Sequence, residues 1–206
     1  MLRAIQPMPE SPERQKLEAF VALLLKWNQK INLIGRATES TIWPRHIEDS
    51  LQLVDVIPAG TKIITDFGSG GGLPGLVIAI ARPDITVNLI ESDFRKCAFL
   101  KEAARQLEIT NVKTHNARIE VLKPLESDVI TARAFAPLDA ILAIGGPFAG
   151  ADCTWLLLKG KSAENEILTA KEGWDFVHTL TKSRIPTTEP KDQGSIVTLT
   201  KVRKRA

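Results

Sequence analysis

Residues 63–75 read IITDFGSGGGLPG, an apolar run, one carboxylate at Asp66, and five glycines at 68, 70, 71, 72 and 75. Glycines so concentrated let a backbone turn through positive φ and come close to a ligand. Gly70, Gly72 and Gly75 satisfy G-x-G-x-x-G, and Glu91 follows roughly twenty residues later, the arrangement of a dinucleotide site with an acid for the ribose. The register argues against that ligand. The turn begins at Gly68, whose sixth position is Leu73, and Asp66 at the strand tip repels a pyrophosphate that wants amide donors and a helix N-terminus. An NAD(P)-dependent oxidoreductase is therefore the alternative reading, and a cationic ligand with a ribose suits Asp66 and Glu91 better.

S-adenosylmethionine is such a ligand, with a sulfonium, an amine and a ribose diol. Asp-x-Gly-x-Gly-x-Gly at 66–72 resembles motif I of class I methyltransferases, with Gly68 and Gly70 lying against the ligand. The methyl acceptor follows by elimination. C5-pyrimidine methylation needs a thiolate nucleophile, and Cys97 falls within a helical stretch while Cys153 precedes a strand. Both read as buried core thiols, so no disulfide or metal site is expected. Adenine amino methylation commonly uses an Asn/Asp-Pro-Pro-aromatic loop, and here residues 131–137 read TARAFAP. A ring nitrogen with a free lone pair, such as guanine N7, needs alignment and desolvation but no base. An arginine suits the guanine O6 edge or a cofactor carboxylate. A cofactor-binding RNA module without catalysis leaves the same trace.

These residues need a scaffold. Ser11 followed by Pro12 opens a helix whose apolar stripe is Leu17, Phe20, Val21, Leu24 and Leu25, and a second helical stretch over residues 45–56 turns Ile47, Leu51 and Val54 inward. Residues 1–58 thus form a small N-terminal helical extension. From 59 to 206 the pattern is α/β. Strands are predicted at 62–67, 86–91, 112–115, 128–133 and 154–159, with helices near 74–81, 94–107, 138–148 and 162–172. Two last strands, near 174–180 and 194–202, are joined by a proline-containing loop. They predict a C-terminal antiparallel hairpin on a mostly parallel, Rossmann-like sheet.

The chain of 206 residues, 44% hydrophobic, can bury a full core, and it contains neither an eighteen-residue apolar run nor a signal-peptide core near its start. A cytoplasmic protein is expected. Its net charge of +3 comes from the tail: Lys201, Arg203, Lys204 and Arg205 carry the whole basic excess. Arg203, Lys204 and Arg205 are candidate RNA contacts, each expected to add to the salt dependence of binding.

Five segments, WNQKINLIGRATES (27–40), RHIEDSL (45–51), DFGSGGGLPG (66–75), ARAFAPL (132–138) and LLLKG (156–160), resemble in order the hallmarks of the RsmG family, also called glucose-inhibited division protein B. The resemblance implies a class I methyltransferase transferring a methyl group from S-adenosylmethionine to guanine N7 in the decoding-region loop of small-subunit ribosomal RNA. Its partner would be that RNA or the assembling subunit, approached as a monomer. It places Gly68, Leu73, Glu91, Ile119, Glu120 and Arg133 on the cofactor, while ESDFRK after the second strand departs from the family's small-residue run. His46, in Arg-His-x-x-Asp-Ser, admits an RNA contact or a structural hydrogen bond. Arg36, Arg45, Arg118 and Lys159 are further RNA candidates. Trp27, Trp43, Trp155 and Trp174 read as core residues before base-stacking ones, and His115 and His178 as strand residues.

Overall fold

A computed structural model describes residues 10–186 and 193–205. Ser11 caps α1 (Pro12–Asn28), its hydroxyl accepting from Arg14 N at 3.2 Å, and Pro12 occupies the first turn, where no amide donor is needed. Leu17, Phe20, Leu23 and Leu24 are buried along one face. The chain then reverses around Asn28, which is 2% exposed. Its side-chain oxygen accepts from Leu33 N (2.8 Å) and Ile34 N (3.0 Å), and its amide donates to Glu39 (2.6 Å). One buried amide thus folds the WNQKINLIG segment.

The single helix expected over residues 45–56 is in fact three unlike turns. A 3-10 turn (Arg36–Thr41) leads into a π-helical turn (Trp43–Glu48), then α2 (Asp49–Leu51), then a 3-10 turn (Val54–Val56). The wider π turn shifts the inward face. Ile47 is buried as expected, but Leu53 is the other buried aliphatic, while Leu51 and Val54 are only half-buried.

Seven strands follow: β1 (Ile63–Phe67), β2 (Thr86–Glu91), β3 (Val112–Asn116), β4 (Ser127–Arg133), β5 (Ala149–Lys159), β6 (Trp174–Lys182) and β7 (Ser195–Lys204). Their order is β3-β2-β1-β4-β5-β7-β6, parallel except where β7 runs antiparallel to β5 and β6. Between them lie α3 (Gly75–Ala81), α4 (Phe94–Gln106), α5 (Leu138–Gly145) and α6 (Ala163–Gly173). β5 begins five residues earlier than its apolar run suggested, and the proline-containing connection before β7 lies partly outside the described residues.

Alternate strand residues feed two cores. Leu156 and Leu158 face the core shared with α1, α3 and α4, whereas Trp155 and Leu157 face that of α5 and α6. The N-terminal helices are continuous with the first core, Leu17 and Phe20 belonging to the same cluster as Leu76 and Leu89. Strand order reverses between β1 and β4, so in such a sheet the binding crevice opens at the carboxyl ends of these two strands.

Candidate cofactor and substrate site

The glycine turn leaves the end of β1 and is tied to the end of β2. Ser69 N donates to Ile90 O (3.0 Å) and Gly70 N to the Glu91 carboxylate (2.9 Å), whose second oxygen accepts from Asp93 N (2.8 Å) at the start of α4. Gly68 has φ 66°, and a Cβ there would stand 2.5 Å from a ring carbon of Phe135, so both conformation and space demand glycine. Gly70 has φ 52°, and a Cβ there would make only an ordinary contact, 3.7 Å from Gly68 O, so the backbone conformation alone constrains it.

Asp66 departs from its expected role. A place on a central strand leaves it fully buried, its carboxylate accepting from Thr131 Oγ1 (3.0 Å) and Gly75 N (3.3 Å). Burial pushes its pKa up to about 7, against the pull of these hydrogen bonds. It therefore staples the glycine turn to β4 and to the first residue of α3 and does not face a cation. Leu73, also expected on the cofactor, has a side chain 8% exposed and packed into the core beneath the turn, which leaves its backbone as the part that can meet a ligand.

Among the described residues, two cavities meet at this edge. The smaller, about 320 Å³, brings together Gly68, Glu91, Ile119 and Glu120, four of the residues expected on the cofactor, with Arg118 at its wall, and is also lined by Ser92 and Lys96. The larger, about 480 Å³, is lined by Arg45, Asp49, Arg133, Lys159 and Glu166. Ala134 and Phe135 line both.

Arg133, at the end of β4, is held from behind. One terminal nitrogen bonds His46 Nδ1, and the other, Nη1, lies 3.8 Å from Asp49. Nη1 is buried without a hydrogen-bond partner, a donor in want of an acceptor. His46 is 5% exposed, and its Nε2 meets Thr38 Oγ1 at 2.7 Å. The Thr38 hydroxyl gives its proton to Gly35 O (2.7 Å), so His46 carries its own proton on Nε2 and accepts from Arg133 on Nδ1. Burial, with Arg133 and Arg45 nearby, lowers the His46 pKa to about 4, so it stays neutral at physiological pH. The histidine is a strut for Arg133, with both ring nitrogens engaged inside the protein.

Lys159 is likewise engaged. Its ammonium pairs with Glu166 (2.7 Å) and donates to Ala136 O (2.6 Å), while Glu166 also accepts from Leu138 N (3.0 Å). The pair braces residues 134–138. Arg45 is exposed and lines the larger cavity, and Arg36 is exposed in the 3-10 turn at Arg36–Thr41. Arg203, Lys204 and Arg205 are not brought to the site: β7 runs away from Lys159, and Arg205 pairs with Asp175 (2.8 Å) at the opposite end of the sheet.

Sequence reasoning left Asp49, Phe135 and Glu166 unassigned. The i, i+3 spacing of His46 and Asp49 places both on one helical face, the signal that was available for Asp49. The cysteines are buried and free, and Cys153 is raised by burial to about 12. Trp155 is core, and Trp43 lies under the Arg14 guanidinium at 4.0 Å.

The doubly wound order, with its glycine turn against an acid ending β2, is the fold of the class I methyltransferases. It matches a methyltransferase from Aquifex aeolicus at TM-score 0.60 (9% identity, 87% of this chain and 97% of that one). It also matches the M. jannaschii protein TYW2, solved with AdoMet, at 0.58 (13% identity, 78% and 76%). More particularly, residues 13–196 match the family described as GidB, rRNA small subunit methyltransferase G, and the chain belongs to that family. Proteins named ribosomal RNA small subunit methyltransferase G from Gluconobacter oxydans and Paramagnetospirillum magneticum are 49% and 45% identical to it. The first match covers 82% of this chain and 86% of the relative, the second 89% and 85%.

Proposed function

We propose that this protein transfers a methyl group from S-adenosylmethionine to guanine N7 in small-subunit ribosomal RNA. The observation that carries the reading is the meeting of two unlike cavities at one wall, Ala134 and Phe135. One combines a glycine turn with an acid for a ribose, and the other is lined by arginines suited to a nucleotide. The relatives' names supply the RNA, and the sequence hallmarks supply the base.

The residues present fit the cofactor. Gly68 lines the smaller cavity through its backbone, Glu91 would meet a ribose diol, Ile119 and Glu120 would flank an adenine, and Arg133, whose Nη1 lacks a hydrogen-bond partner, would meet a carboxylate or a base oxygen. Bound there, S-adenosylmethionine supplies an electrophilic methyl carbon whose bonding pair leaves with sulfur. The chain supplies position and a dry wall. His46 is neutral and spent on Arg133, Asp49 accepts from Gln52 (2.7 Å) and Ser183 (3.3 Å), and Asp66 is enclosed. A nucleophile that needs no deprotonation matches such a site, and guanine N7 is one.

No helix among the described residues is long and apolar enough to cross a membrane. We place the enzyme in the cytoplasm, as a monomer on the ribosomal RNA or the assembled small subunit. Calorimetry should show binding of S-adenosylmethionine and S-adenosylhomocysteine but not NADH. Small subunits lacking the modification should then gain a methyl group that makes the RNA cleavable by borohydride and aniline, as N7-methylguanosine does. Uncleavable methylated RNA would move the target to an amine or a ribose, and tight NADH binding would overturn the reading itself.

A further inference from the structure

Phe135 is 36% exposed, although Phe67, the ring it packs against, and Phe148 beyond that ring are enclosed. Its place is enforced from both sides. Arg133 before it is held by His46, and Ala136 and Leu138 after it are held by Lys159 and Glu166. Between these pins Ala134 takes φ 49°, a region that costs a residue with a side chain conformational energy. That turn throws the Phe135 ring over Gly68 and against Phe67, at 6.3 Å between ring centroids. A braced, strained turn thus presents a half-exposed aromatic ring at the wall between the two cavities.

We propose that Phe135 is the platform on which the target base stacks, so that it, with Arg133, selects and orients a planar purine. The inference rests on the function proposed above and names one of its substrate contacts. Methyl transfer requires the reacting atoms to approach within roughly 3–3.5 Å. The acceptor base must therefore come to the wall that separates its cavity from the cofactor's, and that wall is Phe135. The larger cavity offers cations at Arg45 and Arg133, which suit the phosphate and the O6 edge and leave the ring face for the base. During the step the N7 lone pair forms the new bond to carbon while the carbon–sulfur pair passes to sulfur. The base becomes cationic and no proton is lost, so a π face beside it also favours the developing charge.

The test compares Phe135→Leu, Phe135→Tyr and wild type on small subunits lacking the modification. Leu keeps apolar volume and discards the π face, whereas Tyr keeps both. Aromatic stacking of a base corresponds to about 5- to 150-fold. Single-turnover rate with Leu should fall at least about tenfold, and subunit affinity measured with S-adenosylhomocysteine present, without turnover, should weaken. Affinity for S-adenosylhomocysteine alone and the thermal midpoint should stay near wild type, and Tyr should restore both losses. Wild-type rate and subunit affinity in Phe135→Leu would overturn the stacking role while leaving the methyltransferase reading intact. A loss confined to S-adenosylhomocysteine affinity would assign Phe135 to the cofactor instead. A wild-type protein that methylates no subunit would sink the underlying function, a distinct result.

Discussion

Arg133 is where the N-terminal turns, β4 and the larger cavity converge, and its geometry separates holding from acting. His46 Nδ1 takes one terminal nitrogen of the guanidinium, and Asp49 lies 3.8 Å from the other, Nη1, which makes no hydrogen bond. Arg133→Ala should lower the single-turnover rate tenfold to a hundredfold, about 1.5–3 kcal/mol for a charge-assisted hydrogen bond removed from the transition state. His46→Asn, whose oxygen replaces the Nδ1 acceptor, should keep most of the rate, whereas His46→Leu should approach the Arg133→Ala value. Equal loss in both His46 variants would mean that the imidazole does more than hold Arg133. Asp66 belongs to stability. Its folded pKa of about 7 lies above its ordinary value of 3.8, so its contribution is full below that ordinary value and drains away as pH rises through about 7. Between pH 4.5 and 8 wild type should therefore lose more stability than Asp66→Asn, by on the order of 2–4 kcal/mol in urea denaturation. Parallel pH trends would show that the carboxyl titrates normally.

At the scale of elements, the loop after β4 depends on a neighbouring strand and helix for its shape. Lys159 at the end of β5 and Glu166 on α6 are 8% and 20% exposed, and together they hold Ala136 and Leu138. Removing one charge strands the other, so Lys159→Met should cost about 2–4 kcal/mol in chemical denaturation and slow turnover by loosening Phe135. The double variant Lys159→Met/Glu166→Leu should cost less than the sum of the two single changes; strict additivity would mean the ion pair does not brace the loop. Such pairings are what sequence cannot display. β1 to β4 and their helices were legible because apolar runs and turn residues mark them directly, and Glu91 was legible because the strand–turn–strand spacing fixes it. The π turn at residues 43–48 was not, because its apolar residues fit an ordinary helix equally well. Asp66 was misread because its surroundings, Thr131 and the first turn of α3, arrive only when distant segments pack. Phe135 was passed over because its exposure is a property of the braced turn.

Across the whole molecule, the direction of β7 decides which basic residues can serve the site. It pairs with β5 from Ser195 opposite Lys159, at the ligand edge, and ends with Lys204 opposite Trp174. Ten residues of strand span about 33 Å at roughly 3.3 Å each. Lys201 sits in a bulge at φ 54°, and Arg203, Lys204 and Arg205 therefore face solvent at the end opposite the cavities, with Arg205 bound to Asp175. Arg45, by contrast, is exposed and lines the Arg133 cavity, and Arg36 is exposed in the turn whose Thr38 bonds His46. We propose that RNA phosphates are met by the second group and not by the tail. Each phosphate contact releases counterions and adds about 0.7–0.9 to the log–log salt slope of binding. Arg36→Gln and Arg45→Gln should each flatten the slope by about that amount, whereas Arg203→Gln/Lys204→Gln should leave it unchanged together with cofactor affinity. A slope flattened by the tail variant would require RNA to wrap around the sheet to its far edge, and the binding face would then extend over β6 and β7.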